Sequence, residues 1–146
     1  MGAGMKVVAD EGGLLATQPP VEAETLAARF TRSIEDAGHV LLVLEEEGRL
    51  VGMLGMHPTD AAGVLSLGMW ILTPWRGQGG GRMLMEAALG AVAERDVHKL
   101  ELEVFPANGP AIGLYLAMGF EIEGVRRSHY RRAGGLQSAI LMARVL

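Results

Sequence analysis

The stretch that decides the fold is Arg76-Gly77-Gln78-Gly79-Gly80-Gly81-Arg82, in which four of five consecutive residues are glycine. The segment before it, Val64 to Leu72, is a mostly apolar run that stops at Thr73-Pro74, because proline cannot continue a hydrogen-bonded ladder. From Arg82 to Arg95 the apolar residues fall at helical spacing. The sequence therefore predicts a strand, a glycine-rich loop and a helix in direct succession.

A glycine-rich loop that leads into a helix leaves its backbone amides unshielded. Such amides, together with the dipole of the helix behind them, bind phosphate groups. The alternative is a flexible connection without a ligand. Two common phosphate loops are excluded: the dinucleotide pattern G-x-G-x-x-G would need glycine where Arg82 stands, and no G-K-[ST] sequence is present for a nucleoside triphosphate.

The segments on the N-terminal side of the loop predict a helix followed by a hairpin. Apolar residues at spacings of four, Leu26, Phe30 and Ile34, form one face of a helix from Val21 to Ile34 that Gly38 closes. Two apolar runs follow, joined by a polar connection that contains the glycine a hairpin turn needs. These predicted strands are Val40 to Leu44 and Leu50 to Met56, and Pro58 to Gly63 is predicted as a turn.

The segments on the C-terminal side predict a strand, a short helix and a second hairpin. The strand is Lys99 to Phe105, and the helix is Pro110 to Met118 with Gly119 as its left-handed cap. The hairpin joins Phe120 to Arg131 with Leu136 to Val145. The predicted order α, β, β, β, α, β, α, β, β indicates an α/β (α+β) fold with a mixed, mostly antiparallel sheet flanked by helices.

Composition narrows the class of protein. The chain has 146 residues, 49% of them hydrophobic, which predicts a single packed domain over residues 1–146. The net charge of -4 argues against nucleic-acid binding, and the cluster of Arg126, Arg127, Arg131 and Arg132 is interpreted as a solvated hairpin face. No apolar run is long enough to cross a membrane, and Met1 to Asp10 lacks the apolar core of a secretion signal, so a cytoplasmic protein is expected.

Two motifs carry a resemblance to a known family. Arg76, Gly79 and Gly81 fit the pattern R/Q-x-x-G-x-G/A, and the segment from Asn108 to Phe120 is similar to N-x-x-A-x-x-L-Y-x-x-x-G-F. In this order and spacing they resemble the GNAT superfamily of N-acetyltransferases, with similarity from about Val40 to the C-terminus. The resemblance implies acetyl-CoA as co-substrate and a sheet whose fourth and fifth strands in the family's order splay apart. Those strands correspond here to Val64 to Leu72 and to Lys99 to Phe105.

The resemblance also implies roles for individual residues. Tyr115 would protonate the leaving thiolate and Glu103 would accept the proton of the amine. Residue types alone leave other interpretations open: Tyr115 could simply pack on its helix, Glu101 and Glu103 could be exposed charges on one strand face, and Asn108 could be a helix cap. The residues expected to hold acetyl-CoA are Ile71, Leu72, Arg76, Gly77, Gln78, Gly79, Gly80, Gly81, Arg82, Asn108, Ala111 and Tyr115.

The expected partner is an amine acceptor, which could be a small molecule, an amino acid or a protein N-terminus. The alternatives are a non-catalytic acyl-CoA sensor or regulatory subunit, and a structural partner in a complex. The four histidines lack metal-ligand spacing, so no metal is expected. A homodimer is expected because an apolar edge strand, Leu50 to Met56 or Val40 to Leu44, would otherwise be exposed; the strand-like segment Met5 to Ala9 could cover such an edge.

Overall fold

The computed structural model describes residues 38–146. They form a six-stranded sheet in the order β1-β2-β3-β4-β6-β5, with two helices. The predicted helix from Val21 to Ile34 and the predicted strand from Met5 to Ala9 lie outside the described residues. The elements are β1 (Val40–Glu46), β2 (Arg49–Pro58), β3 (Val64–Ile71), a 3₁₀ turn (Thr73–Trp75), α1 (Gly80–Val92), β4 (Lys99–Val104), α2 (Gly109–Ala117), β5 (Glu121–Arg132) and β6 (Gly135–Val145).

The first hairpin is tighter than its sequence predicts. Strands β1 and β2 pair antiparallel as far as Glu46 and Arg49, so only Glu47 and Gly48 form the turn. Both have positive φ, 48° and 76°, which is the backbone of a type I′ hairpin turn. Strand β2 pairs with β1 on one side and with β3 on the other. The expectation that Leu50 to Met56 could be an edge is therefore wrong, and within residues 38–146 the outer strands are β1 and β5.

Strands β3 and β4 are parallel and separate soon after they begin. They pair at Val64 with Lys99, Leu65 with Leu100 and Ser66 with Glu101. Beyond Ser66, β3 continues beside β2 while β4 continues beside β6. This is the splay that the resemblance implies for the family's fourth and fifth strands. The strands numbered β4 and β5 here are a different pair, and β6 lies between them.

The main core lies on the sheet face that carries the two helices. Helix α1 turns Leu84, Met85, Ala88 and Val92 inward, at the spacing its sequence predicts, and begins at Gly80, two residues before the predicted start. Helix α2 ends at Ala117, and Gly119, just beyond its C-cap Met118, has the φ of 82° of the predicted left-handed cap. The buried sheet residues of this core are Leu54, Met56, Leu65, Leu67, Leu100, Leu102, Val104 and Met142.

The opposite face of the sheet carries a smaller apolar cluster. Met53 and Trp70 are buried there, and Leu41, Leu50 and Leu72 pack against them. No helix in the described part of the chain is long and apolar enough to cross a membrane.

Candidate functional site

The glycine-rich loop needs its glycines for two different reasons. Gly77 and Gly79 have φ values of 72° and 85°, a left-handed backbone that other residues adopt only at a cost. Gly80 and Gly81 are closely packed instead. A Cβ on Gly80 would lie 2.6 Å from Leu44 Cδ2, and one on Gly81 would lie 2.8 Å from Leu114 Cδ2. The loop is thereby pressed against β1 and α2.

The start of α1 offers free amides to an anion. Gly79 is its N-cap, provides no side-chain cap, and accepts the first helical hydrogen bond from the Met83 amide at 3.1 Å. The amides of the first turn therefore have no partner within the helix, and no acidic residue stands in that turn. These uncapped amides at the positive end of the helix dipole suit a pyrophosphate group.

Two polar side chains of the loop bind backbone carbonyls of the residues just before it. Arg76 donates from Nε to the Ile71 carbonyl at 2.8 Å, and Gln78 donates from Nε2 to the Pro74 carbonyl at 2.8 Å. Arg82 is half-exposed and lies 3.8 Å from Glu86, one helical turn further on. Arg76 and Gln78 thus shape the loop, while Arg82 lies at the helix surface.

The end of β3 presents backbone groups to the gap beside β4. The Leu72 amide donates to the Val51 carbonyl at 2.9 Å, which makes Ile71 and Gly52 a non-hydrogen-bonded pair of the antiparallel ladder. The amide and carbonyl of Ile71 therefore point away from β2, toward the splay. The Leu72 carbonyl accepts from the Trp75 amide at 2.9 Å, so both backbone groups of Leu72 are used by the fold. Both residues are predicted to hold acetyl-CoA, and Ile71 is the one whose amide faces the gap; its carbonyl accepts from Arg76 Nε.

Glu103 and Tyr115 lie on opposite faces of β4. Leu102 and Val104 point into the main core, where Tyr115 is packed with them. Because side chains alternate along a strand, Glu101 and Glu103 point to the other face, as the sequence predicts. Glu103 thus lies on the strand segment beside the splay and faces one side of the sheet, while Tyr115 is packed in the core on the other side.

Tyr115 is held as a neutral phenol. Its ring is tilted against Phe120 at 5.9 Å between centroids, and only 6% of the residue is exposed. Burial raises the pKa of Tyr115 from 10.0 to about 12, because the phenolate would lose its hydration. The phenol therefore carries its proton at neutral pH, as a tyrosine with the ordinary pKa also would.

Two residues of β5 bind the carboxylate of Glu103. The Tyr130 hydroxyl donates to Glu103 Oε2 at 2.5 Å, and Arg126 NH1 lies 3.1 Å from Oε1. Burial and the Glu103 carboxylate raise the pKa of Tyr130 to about 12. Arg132 is also engaged, with its guanidinium 4.8 Å from the centre of the Phe105 ring. Arg126 and Arg132 therefore each have a specific partner, while Arg126 keeps the solvent exposure that the sequence predicts.

Asn108 acts as a helix cap. Its Oδ1 accepts from the Ala111 amide at 3.3 Å, one of the alternatives that the sequence leaves open. This bond ties Asn108 to Ala111 at the start of α2, and Leu114 of the same helix meets Gly81. Both predicted cofactor residues therefore lie at the start of the helix that packs against the loop. The described residues contain no group of three or more side chains suited to a metal ion.

Residues 13–120 match the Acetyltransferase (GNAT) family. Over 129 residues the chain is 30% identical to a Bacillus subtilis protein that is provisionally named [ribosomal protein bS18]-alanine N-acetyltransferase, a match that covers 84% of this chain and 83% of that protein. The chain belongs to the GNAT acetyltransferase family. It is therefore an acyltransferase that moves an acetyl group from acetyl-CoA to an amine, as the two motifs predict.

Solved structures confirm the fold of this GNAT enzyme. A ribosomal-protein-alanine N-acetyltransferase from Brucella melitensis superposes with a TM-score of 0.90 at 24% identity, over 99% of this chain and 91% of that one. A Salmonella typhimurium acetyltransferase structure that contains acetyl-CoA superposes with a TM-score of 0.85 at 17% identity, over 99% and 86% of the chains. No comparison supports the alternative of a non-catalytic sensor.

Proposed function

We propose that this GNAT enzyme acetylates the free α-amino group of a protein N-terminus, by direct attack of the amine on acetyl-CoA while both substrates are bound. The observation that carries the proposal is the placement of Glu103 and Tyr115 on opposite faces of β4, beside the β3–β4 splay. A thioester held in this gap would have the proposed base on one side of the sheet and the proposed acid on the other.

The loop at the start of α1 would hold the pyrophosphate of acetyl-CoA. The first-turn amides, uncapped and backed by the helix dipole, supply hydrogen bonds to phosphate oxygens. Gly77 to Gly81 provide the bare backbone, Arg76 and Gln78 fix its shape, and Arg82 lies at its end. Asn108 and Ala111, at the start of α2, would border the pantetheine arm.

The two proton transfers of the reaction are assigned to residues on opposite faces of β4. Acetyl-CoA supplies an activated acyl group whose carbonyl carbon accepts the amine. Glu103 takes a proton from the attacking amine as the nitrogen–carbon bond forms, and Tyr115 gives its proton to the sulfur as the carbon–sulfur bond breaks. The Ile71 amide, directed into the gap, stabilises negative charge on the carbonyl oxygen. Solvent then returns a proton to Tyr115 and removes one from Glu103.

The acceptor class follows from the names of the relatives. They specify an alanine of a ribosomal protein. Alanine has no side-chain amine, so the nitrogen available for acetylation is an α-amine, which in a protein is free only at the chain start. With similarity to the Bacillus subtilis protein across 84% of this chain, the same chemical class of acceptor is proposed here.

We further propose a cytoplasmic homodimer. Ile122 and Val125 are 57% and 53% exposed on the outer strand β5, and exposed apolar side chains on a sheet edge favour self-association. Light scattering that gives the mass of a single 15.5 kDa chain, unchanged with concentration, would contradict the dimer.

Two matched peptides test the proposed acceptor. The first begins with a free alanine amine and lacks lysine; the second has the same sequence with its α-amine blocked and one internal lysine. CoA release from acetyl-CoA is expected with the first peptide and not with the second, because only the first carries an α-amine. Turnover of the second peptide alone would assign a side-chain amine as the acceptor and contradict the proposal.

A further inference from the structure

The two side chains that bind Glu103 differ in how closely they are packed. Tyr130 is fixed, since its ring meets Phe105 edge-on at 5.4 Å and His129 at 4.9 Å while its hydroxyl holds Oε2. Arg126 is freer, because its side chain is 48% exposed and its other contact is a 3.5 Å approach to His129 Nε2. Of the two, the arginine is the one that can leave without disturbing packed rings.

A bulge in β5 directs both residues to Glu103. Arg126 pairs with Ala139 and Tyr130 with Gln137, so β5 advances four residues while β6 advances two. The extra residues lie between them, with Ser128 at a φ of 50° and its amide bound to Ser138 Oγ at 3.0 Å. Bulges of this kind re-aim side chains at functional sites. Here the bulge brings a cation and a phenol from one strand onto a single carboxylate.

We propose that Arg126 is an internal substitute for the ammonium group of the acceptor. In the free enzyme it neutralises Glu103 at Oε1, and the acceptor displaces it when its ammonium group reaches the same oxygen. Tyr130 is the positioning residue that keeps Glu103 in place during the exchange. This inference rests on the proposed role of Glu103 as the base and adds how that base is occupied before the acceptor binds.

The charge balance favours such an exchange. Glu103 is only 26% exposed, and a partly buried carboxylate without a partner is costly. An α-amine has an ordinary pKa near 7.7–8.0 and is mostly cationic at pH 7. Its ammonium group therefore competes with Arg126 for one carboxylate oxygen. After displacing Arg126 it passes its extra proton through that oxygen to solvent, which leaves Glu103 ionised to accept the second proton as the nitrogen–carbon bond forms. The same Glu103 oxygen would therefore both bind the ammonium group of the acceptor and deprotonate it.

The test measures KM and kcat separately, with a peptide that begins with alanine, for the wild-type enzyme and for single variants. Arg126→Gln is expected to lower KM for the peptide roughly two- to fivefold, the range for an exposed ion pair that no longer competes. Arg126→Lys retains a cation and should restore the wild-type KM. Tyr130→Phe keeps the ring but loses the hydroxyl, and is expected to lower kcat about tenfold or more while KM changes little.

Two further variants separate the possible outcomes. Arg127→Gln removes an exposed arginine from the same bulge and should leave KM unchanged, which controls for net charge. Glu103→Gln should lower kcat by roughly 10²-fold. If Glu103→Gln keeps its kcat, the proposed base is wrong. If Glu103→Gln is impaired but Arg126→Gln leaves KM unchanged or raises it, the base stands and the substitute role of Arg126 is overturned.

Discussion

Replacement of Gly79 by aspartate is expected to abolish acetyl-CoA binding while the protein remains folded. Gly79 precedes α1 with a φ of 85°, and apart from its chain neighbours no heavy atom lies within 4 Å of where its Cβ would be. A carboxylate here would accept hydrogen bonds from the first-turn amides and repel the pyrophosphate. The left-handed backbone adds a cost of about 1–2 kcal/mol, which lowers the melting temperature but leaves a folded protein.

Thermal unfolding with and without acetyl-CoA measures this effect. At about 100 times Kd the ligand should raise the wild-type melting temperature by roughly 5–10 °C, because it binds only the native state. Gly79→Asp should show no rise. Gly79→Ala is the matched control, since it has the same backbone strain without the charge and should keep most of the rise. An undiminished rise in Gly79→Asp would place the pyrophosphate elsewhere.

Replacement of Tyr115 by phenylalanine is expected to lower kcat by roughly 10²-fold or more, the usual scale for a positioned acid. The substitution removes one oxygen and keeps the ring that packs on Phe120 and in the main core. Acetyl-CoA affinity should therefore change little, and the loss should appear in kcat and in kcat/KM alike.

The pH profile provides a second measure of the same role. Burial disfavours the phenolate and raises the pKa of Tyr115 to about 12, so the acid form persists well above neutral pH. Wild-type kcat should consequently show no loss from Tyr115 deprotonation between pH 7 and about pH 10, some two units below that pKa. An unchanged kcat in Tyr115→Phe would transfer the acid role to water or to another residue.

The fold was largely predictable because local signals agree with the tertiary structure. Pro74 follows shortly after the end of β3, four glycines mark the loop, and the apolar spacing of Leu84, Ala88 and Val92 identifies the buried face of α1. The strand boundaries shifted by a few residues, as with β1, whose polar Glu45 and Glu46 extend the hairpin. Cross-strand pairing determined those ends, and it depends on the partner strand rather than on the local sequence.

The surroundings of Glu103 could not be predicted. Its partners Arg126 and Tyr130 come from a strand that reaches β4 only through β6, and the bulge between them changes the register. A regular alternation along Phe120 to Arg131 gives no sign of that bulge, so the arginines resemble a solvated face. The backbone hydrogen bonds of Leu72 with Val51 and Trp75 could not be predicted for the same reason. Both depend on how β2 and the 3₁₀ turn meet β3.

Direct transfer from acetyl-CoA to the amine inside the β3–β4 splay is tested most directly by initial velocities with both substrates varied. Attack within a complex of enzyme, acetyl-CoA and peptide predicts double-reciprocal lines that intersect, and no acetylated enzyme when acetyl-CoA is added alone. Parallel lines, together with an acetyl group found on the protein by intact-mass measurement, would indicate a covalent acetyl-enzyme and contradict the account.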